Sequence, residues 1–150
     1  MAETLGTLCD KLTTVKLKQW HSEDASKLQS LAAQETQLQN EITEYVSDAI
    51  CGRIPVERLT FAANKVYKKE GNAVAEVSGN VGEIFSRLAD VNCKLWHVQE
   101  KVYEFEAVPA DKKDVVVKEL AILNLERNMC IDQLDGTFRK LIEQHASKVS

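Results

Sequence analysis

The most regular apolar pattern in the chain runs from Val81 to Phe105. Val81, Ile84, Leu88, Val91, Leu95, Val98, Val102 and Phe105 follow one another at alternating steps of three and four residues. That spacing puts them all on one stripe of an α-helix, with the heptad period of helices packed side by side. Such a stripe, about 35–40 Å long at 1.5 Å per residue, needs another helix along its whole length. A second stripe, Leu5, Leu8, Leu12 and Val15, predicts a helix at the start of the chain. After Trp20 it resumes in a new phase at Leu28, Leu31, Leu38, Ile42, Tyr45 and Ala49. The polar HSEDASK between them holds two cap-capable residues, Ser22 and Asp24. Residues 5–49 therefore form either one long helix with a shifted seam or two helices broken near residues 22–26.

Breaks are few. Gly52 suits the left-handed turn that ends a helix, and Pro55 the first turn of the next. A short helix is expected over 56–69, with Val56, Leu59, Ala63 and Val66 on one side, closed by Gly71-Asn72. Residues 73–79 are either a helical lead-in or a bend. Asn80, with Glu83 three residues on, has the form of a capping box, and Thr4 can cap the first helix. The second clear turn is 106–114. After it Pro109 opens a last helix with Val116, Leu120, Leu123, Leu134, Phe138 and Leu141 on one side, continued by Arg127, Cys130 and Ile131. Gly136 within it costs about 1 kcal/mol relative to Ala and is expected to mark a close helix contact. Residues 145–150 are expected to fray.

Two of these stripes also resemble each other. LGTLCDKLTTVKLKQWH (residues 5–21) aligns without a gap on VGEIFSRLADVNCKLWH (residues 81–97). Gly6, Leu12, Val15, Lys18, Trp20 and His21 recur as Gly82, Leu88, Val91, Lys94, Trp96 and His97. The sequence thus predicts an all-α fold: an antiparallel bundle of long helices with coiled-coil-like packing and an internally duplicated helical hairpin. Residues 1–150 form a single domain with repeat-like halves 4–52 and 80–146. Short turns force antiparallel neighbours.

Composition narrows the function. One hundred and fifty residues suffice for one core without a metal or disulfide staple. A net charge of -4 argues against general nucleic-acid binding, and Lys65, Lys68 and Lys69 around Tyr67 read as a solvated helix end. Lysines interrupt any leader-like run, and no apolar stretch approaches the ~20 residues of a membrane span. Four scattered cysteines without a C-x-x-C fit a reduced, cytoplasmic protein, Cys9 and Cys130 behaving as small hydrophobes. No cofactor or metal is expected. Nucleophile elbow, phosphate-cradling loop, dinucleotide fingerprint and zincin motif are all missing.

Two groups of residues could carry a site. Lys18, Trp20 and His21 recur as Lys94, Trp96 and His97; Lys and His three apart share a helix face, with Glu23, Asp24 and Glu100 nearby. The tryptophans are expected in the bundle core. Two histidines brought together by pseudo-twofold symmetry could hold a metal, but di-iron bundles use Glu-x-x-His, and here Lys stands where Glu would. The second group, Asn124, Asn128, Asp132 and Asp135, recurs along one helical face beside the apolar stripe, so its members need partners. Arg127 is expected to pair bidentately with a carboxylate from a neighbouring helix. Joined by Lys94 and His97, the row would line an anion- or sugar-binding cleft.

The segments GEIFSRLADVNCKLWHVQEKV and KELAILNLERNMCIDQLDGTF resemble a bacterial family of unknown function whose genes often neighbour glycosyltransferases of surface-polysaccharide clusters. Lys94, Trp96, His97, Leu123, Asn124, Arg127, Asn128, Ile131, Asp132 and Asp135 carry the resemblance, and Gln99 departs from it where an acid is expected. The resemblance implies an all-α fold and a polysaccharide context, with no enzymatic role. The function expected first is a non-catalytic helical interaction or scaffold protein, a homo-oligomer through the Val81–Phe105 seam or a binder of another protein. The alternatives are a sugar-nucleotide or anion-binding accessory of polysaccharide synthesis and a metal-binding bundle using His21 and His97.

Overall fold

The computed structural model describes residues 2–61 and 76–149. They form α1 (Leu5–Trp20), α2 (Ala25–Ile50), α3 (Val81–Tyr103) and α4 (Lys113–Val149), packed as an all-α bundle with no strand among the described residues. The first stretch is two helices rather than one. Asp24 decides this: its carboxylate accepts from the backbone N–H groups of Ser26 and Lys27 at 2.9 and 3.1 Å, giving α2 an N-terminus of its own. α1 and α3 both open with a capping box. Thr4 and Thr7 exchange side-chain-to-backbone bonds, as do Asn80 and Glu83. α2 closes in a left-handed turn at Gly52, where Arg53 donates to Asp48 O at 2.9 Å and Gly52 to Ala49 O at 3.3 Å.

The expected helix over 56–69 does not form in its described part. Val56–Arg58 is one 3-10 turn, and Leu59–Phe61 leave helical geometry while Leu59 is buried in the core. Residues 62–75, with the Lys65, Lys68 and Lys69 cluster and the expected Gly71-Asn72 stop, lie outside the described residues. Glu76–Gly79 are a non-helical lead-in to α3 that sinks Val77 into the core. Two short 3-10 turns, Phe105–Ala107 and Ala110–Lys112, carry the chain from α3 into α4, with the Lys113 ammonium 4.9 Å from the Phe105 ring centre.

The seam of α3 is used inside the chain. Ile84, Leu88, Val91, Leu95 and Val98 are buried against α1 and α4, in one core with Leu5, Cys9, Leu123, Cys130, Leu134, Phe138 and Ile142. Gly6 of α1 reaches Asp135 while Asp10 reaches Arg127, so α1 runs antiparallel to α4 and parallel to α3. α2 packs chiefly on α1 through a smaller cluster of Leu8, Val15, Leu31 and Leu38, and reaches α4 where the Tyr45 and Phe138 ring centres lie 6.3 Å apart.

In α4 the core position is Ile142, while Leu141 is about half exposed: Leu134, Phe138 and Ile142 step by four, so the stripe drifts past Leu141. The helix does not fray at His145 but continues to Val149. Nor does Gly136 mark a close contact, since a Cβ built there would meet nothing within 4 Å. The close contact is at Gly6, where a Cβ would lie 2.7 Å from the Ile131 carbonyl oxygen and 2.9 Å from an Asp135 carboxylate oxygen. Opposite effects of the same substitution follow. Gly6→Ala must push α1 off α4 and is expected to cost on the order of 2 kcal/mol by overpacking. Gly136→Ala is expected to gain about 0.5–1 kcal/mol from helix propensity. Urea midpoints of the two variants check both signs.

Candidate functional site

Among the described residues, a charged cluster lies in the interior of the bundle. Asp10 of α1 is 4% exposed. Its Oδ1 accepts from Asn92 Nδ2 of α3 and from Arg127 Nε of α4, each at 2.9 Å, and its Oδ2 accepts from Arg127 Nη2. The pairing of Arg127 with a carboxylate of a neighbouring helix is thus as expected, and Asp10 supplies the carboxylate. The carboxylate holds the Arg127 guanidinium above its ordinary value through these hydrogen bonds, against a partial burial that opposes charge. One turn earlier in α1, the Gly6 N–H donates to Asp135 Oδ1 at 2.7 Å. That N–H is one of the first-turn donors a helix cannot satisfy itself, and a carboxylate is the partner its positive end favours. A third tie, outside this cluster, is Arg87 of α3, which donates to Glu126 at 2.9 Å and to the Glu76 carbonyl at 2.9 Å.

Above Asp10 and Arg127 a groove of about 710 Å³ opens between α1 and α2. Its floor includes Leu8, Val15, Leu38 and Tyr45, and its walls carry Glu3, Lys11, Glu41, Glu44 and Asp48. Most of this charge is already matched: Lys11 pairs with Glu3, Arg127 with Asp10, and Asp48 with Arg53 at 2.6 Å. A second pocket of about 400 Å³ adjoins it, sharing Lys18 and Gln34, and is completed by His21, Ser22, Lys27 and Trp96 among others. Here the His21 imidazole stacks on the Trp96 indole, centres 4.7 Å apart and planes 11° from parallel.

The two copies of the Lys-Trp-His pattern therefore do different things. Trp20 is 85% exposed, not a core residue, because α1 ends there and no helix among the described residues covers it. Trp96 is half-buried under His21. Lys18 and His21 line the smaller pocket, whereas Lys94 is exposed and pairs with Asp90 at 2.8 Å, and His97 is exposed. His21 thus meets Trp96 rather than His97. Among the described residues no three His, Cys, Asp or Glu side chains gather as metal ligands would. The polar row of α4 splits as well. Asn124 donates to the Leu120 carbonyl at 3.1 Å, Asn128 is exposed, Asp132 is half-buried, and Arg127 and Asp135 hold α1. Lys94 and His97 line neither of these two cavities.

Asp10, Asn92 and Lys27 were not among the expected site residues. Asp10 had a signal: a lone acid between Cys9 and Leu12, in a helix half otherwise short of charge. Lys27 had none, because only the return of α2 along α1 brings it beside Lys18.

Burial sets the acid–base behaviour of the interior. Desolvation, with Asp135 and Asp10 nearby, pushes the Cys9 thiol up to about 12; burial pushes Cys130 to about 11 and the Tyr45 phenol to about 12. Cys51 and Cys93 are exposed. A thiol reagent at mildly alkaline pH is expected to label Cys51 and Cys93 in the folded protein and Cys9 and Cys130 only after unfolding, as peptide mapping would read. All three raised groups bind their protons more tightly folded than unfolded. Their contribution to stability is full below the ordinary thiol value of 9.0 and is lost as pH rises through about 11 to 12. Urea midpoints on either side of pH ~9 test this. Asp10→Ala leaves Arg127 and Asn92 without their acceptor and is expected to cost about 3 kcal/mol, measured by the same unfolding. Compared with known proteins, the chain matches no family model, no curated protein and no solved structure.

Proposed function

We propose that the chain is a non-catalytic helical interaction protein that associates with a second copy of itself through the end of the bundle where α1 turns into α2 and α3 into α4. The α3 seam is not available for this, because α1 and α4 cover it. The observation that carries the reading is the distribution of exposed apolar side chains. Single exposed apolar residues scattered over a surface need no explanation, but a concentration of them does. Of the six large exposed ones among the described residues, Trp20, Tyr103, Val115 and Val117 belong to this end, and only Ile50 and Leu141 lie toward the other. α1 and α3 run parallel, and the end of α1 meets α3 at Trp96, two turns before Tyr103.

A second copy is the occupant the chemistry favours. Both signs of charge, Glu104, Glu106, Asp111 and Asp114 with Lys112, Lys113 and Lys118, stand among the apolar residues. A twofold axis can then set apolar against apolar and each acid against a base. Among the described residues no helix is long and apolar enough to cross a membrane, so this end is not explained by insertion of a span.

Sedimentation across a hundredfold concentration range is expected to show twice the chain mass at the upper end. Tyr103→Lys with Val117→Lys is expected to weaken association by about tenfold or more without loss of helical signal, since both residues are exposed. A monomer throughout, or a dimer indifferent to these changes, overturns the proposal.

A further inference from the structure

The pocket at the end of α1 has a different electrostatic character from the rest of the molecule. The chain carries a net charge of -4, and the neighbouring groove is lined by more acids than bases. This pocket is lined by two lysines and by no aspartate or glutamate among the described residues. Lys18 arrives from the last turn of α1 and Lys27 from the first turn of α2. The lysines around them are matched: Lys16 pairs with Glu35 at 3.0 Å and Lys94 with Asp90. No ion pair holds Lys18 or Lys27 among the described residues. Glu23 and Asp24, in the same turn, do not line the pocket, and the Asp24 carboxylate is occupied by the α2 N–H groups it caps. Lys18 and Lys27 thus line one concavity with the same charge, and an anion between them would be attracted to both.

The aromatic part of the lining supplies the other half of a recognition surface. His21, the C-cap residue of α1, and Trp96 of α3 stack with ring centres 4.7 Å apart and planes 11° from parallel, and both reach the pocket. A pair of aromatic rings stacked on each other offers a further planar ring a flat face to stack on. Ser22 and Gln34 add hydrogen-bonding groups at the rim. A volume of about 400 Å³ falls in the size range of small-ligand sites.

We infer that the pocket formed by Lys18, His21, Lys27 and Trp96 is a binding site for a small phosphorylated ligand with a planar ring, a nucleoside monophosphate being the simplest of that class. The ring stacks on the His21–Trp96 pair, and the phosphate lies between the two ammonium groups. Neither part suffices alone. Inorganic phosphate has only exposed lysines to hold it, and an uncharged nucleoside offers them no charge.

The chain has two tryptophans, so Trp20→Phe leaves Trp96 as the sole indole and its emission as a reporter inside the proposed site. This variant is titrated with uridine monophosphate, uridine and inorganic phosphate at low salt. A saturable change is expected with the monophosphate, at an affinity about tenfold or more above that of either fragment. Added salt is expected to weaken it. Lys18→Ala and Lys27→Ala, both at exposed positions, are each expected to lower the affinity severalfold with an unchanged circular dichroism spectrum. Equal affinity for phosphate alone would remove the stacking half of the proposal, and equal affinity for uridine the anion half. No saturable response at millimolar ligand, in emission and in equilibrium dialysis of the unsubstituted chain alike, would overturn it.

Discussion

A buried carboxylate sets the geometry of this bundle. Asp10 sits in the interior between three helices, where an unpaired charge would cost several kcal/mol. It is satisfied by Arg127 of α4 in fork geometry on one side and by Asn92 of α3 on the other. Apolar packing alone would let α1 slide or rotate against its neighbours at small cost, since leucines exchange places readily. The charge cluster does not allow that. With the Gly6 N–H held by Asp135 and no room for a Cβ at Gly6, it fixes both the register and the closeness of α1 along α4.

What lies at the far end of α1 follows from this register. Because Asp10 is pinned beside Asn92, the C-terminal cap of α1 delivers His21 onto Trp96. Because Asp24 starts a new helix just beyond, Lys27 comes back beside Lys18. α2 is held chiefly to α1, by a few leucines, so the space between the two helices stays open as a groove instead of closing into core. α2 thus rests mainly on α1, and these two cavities lie along that pairing.

The two aligned segments show how similar residues take different roles. Both start helices with the same capping geometry, which is local and needs nothing from the rest of the fold. The later positions part company. Gly6 is pressed against α4, whereas a Cβ at Gly82 would meet only an ordinary 3.5 Å contact. Asp10, the centre of the buried cluster, corresponds to the exposed Ser86. The α1 segment ends at its tryptophan and leaves it in solvent, while α3 continues through Trp96 for another two turns to Tyr103.

What could be read in the sequence was whatever depends on near neighbours along the chain. The heptad spacing of Val81 to Val98, the caps at Thr4 and Asn80, the left-handed stop at Gly52 and the turn at Pro109 are each written in a handful of adjacent residues. So was the need of Arg127 for a carboxylate, because a guanidinium beside an apolar stripe must be paired. Whether residues 5–49 bend, by contrast, turned on Asp24 winning over helix continuity, which periodicity leaves open. That Asp10 is the partner, that Gly6 and not Gly136 marks the close contact, and that His21 meets Trp96 and not His97 were decided by tertiary structure. Each is a contact between residues more than 70 positions apart, and it exists only once the helices are set side by side.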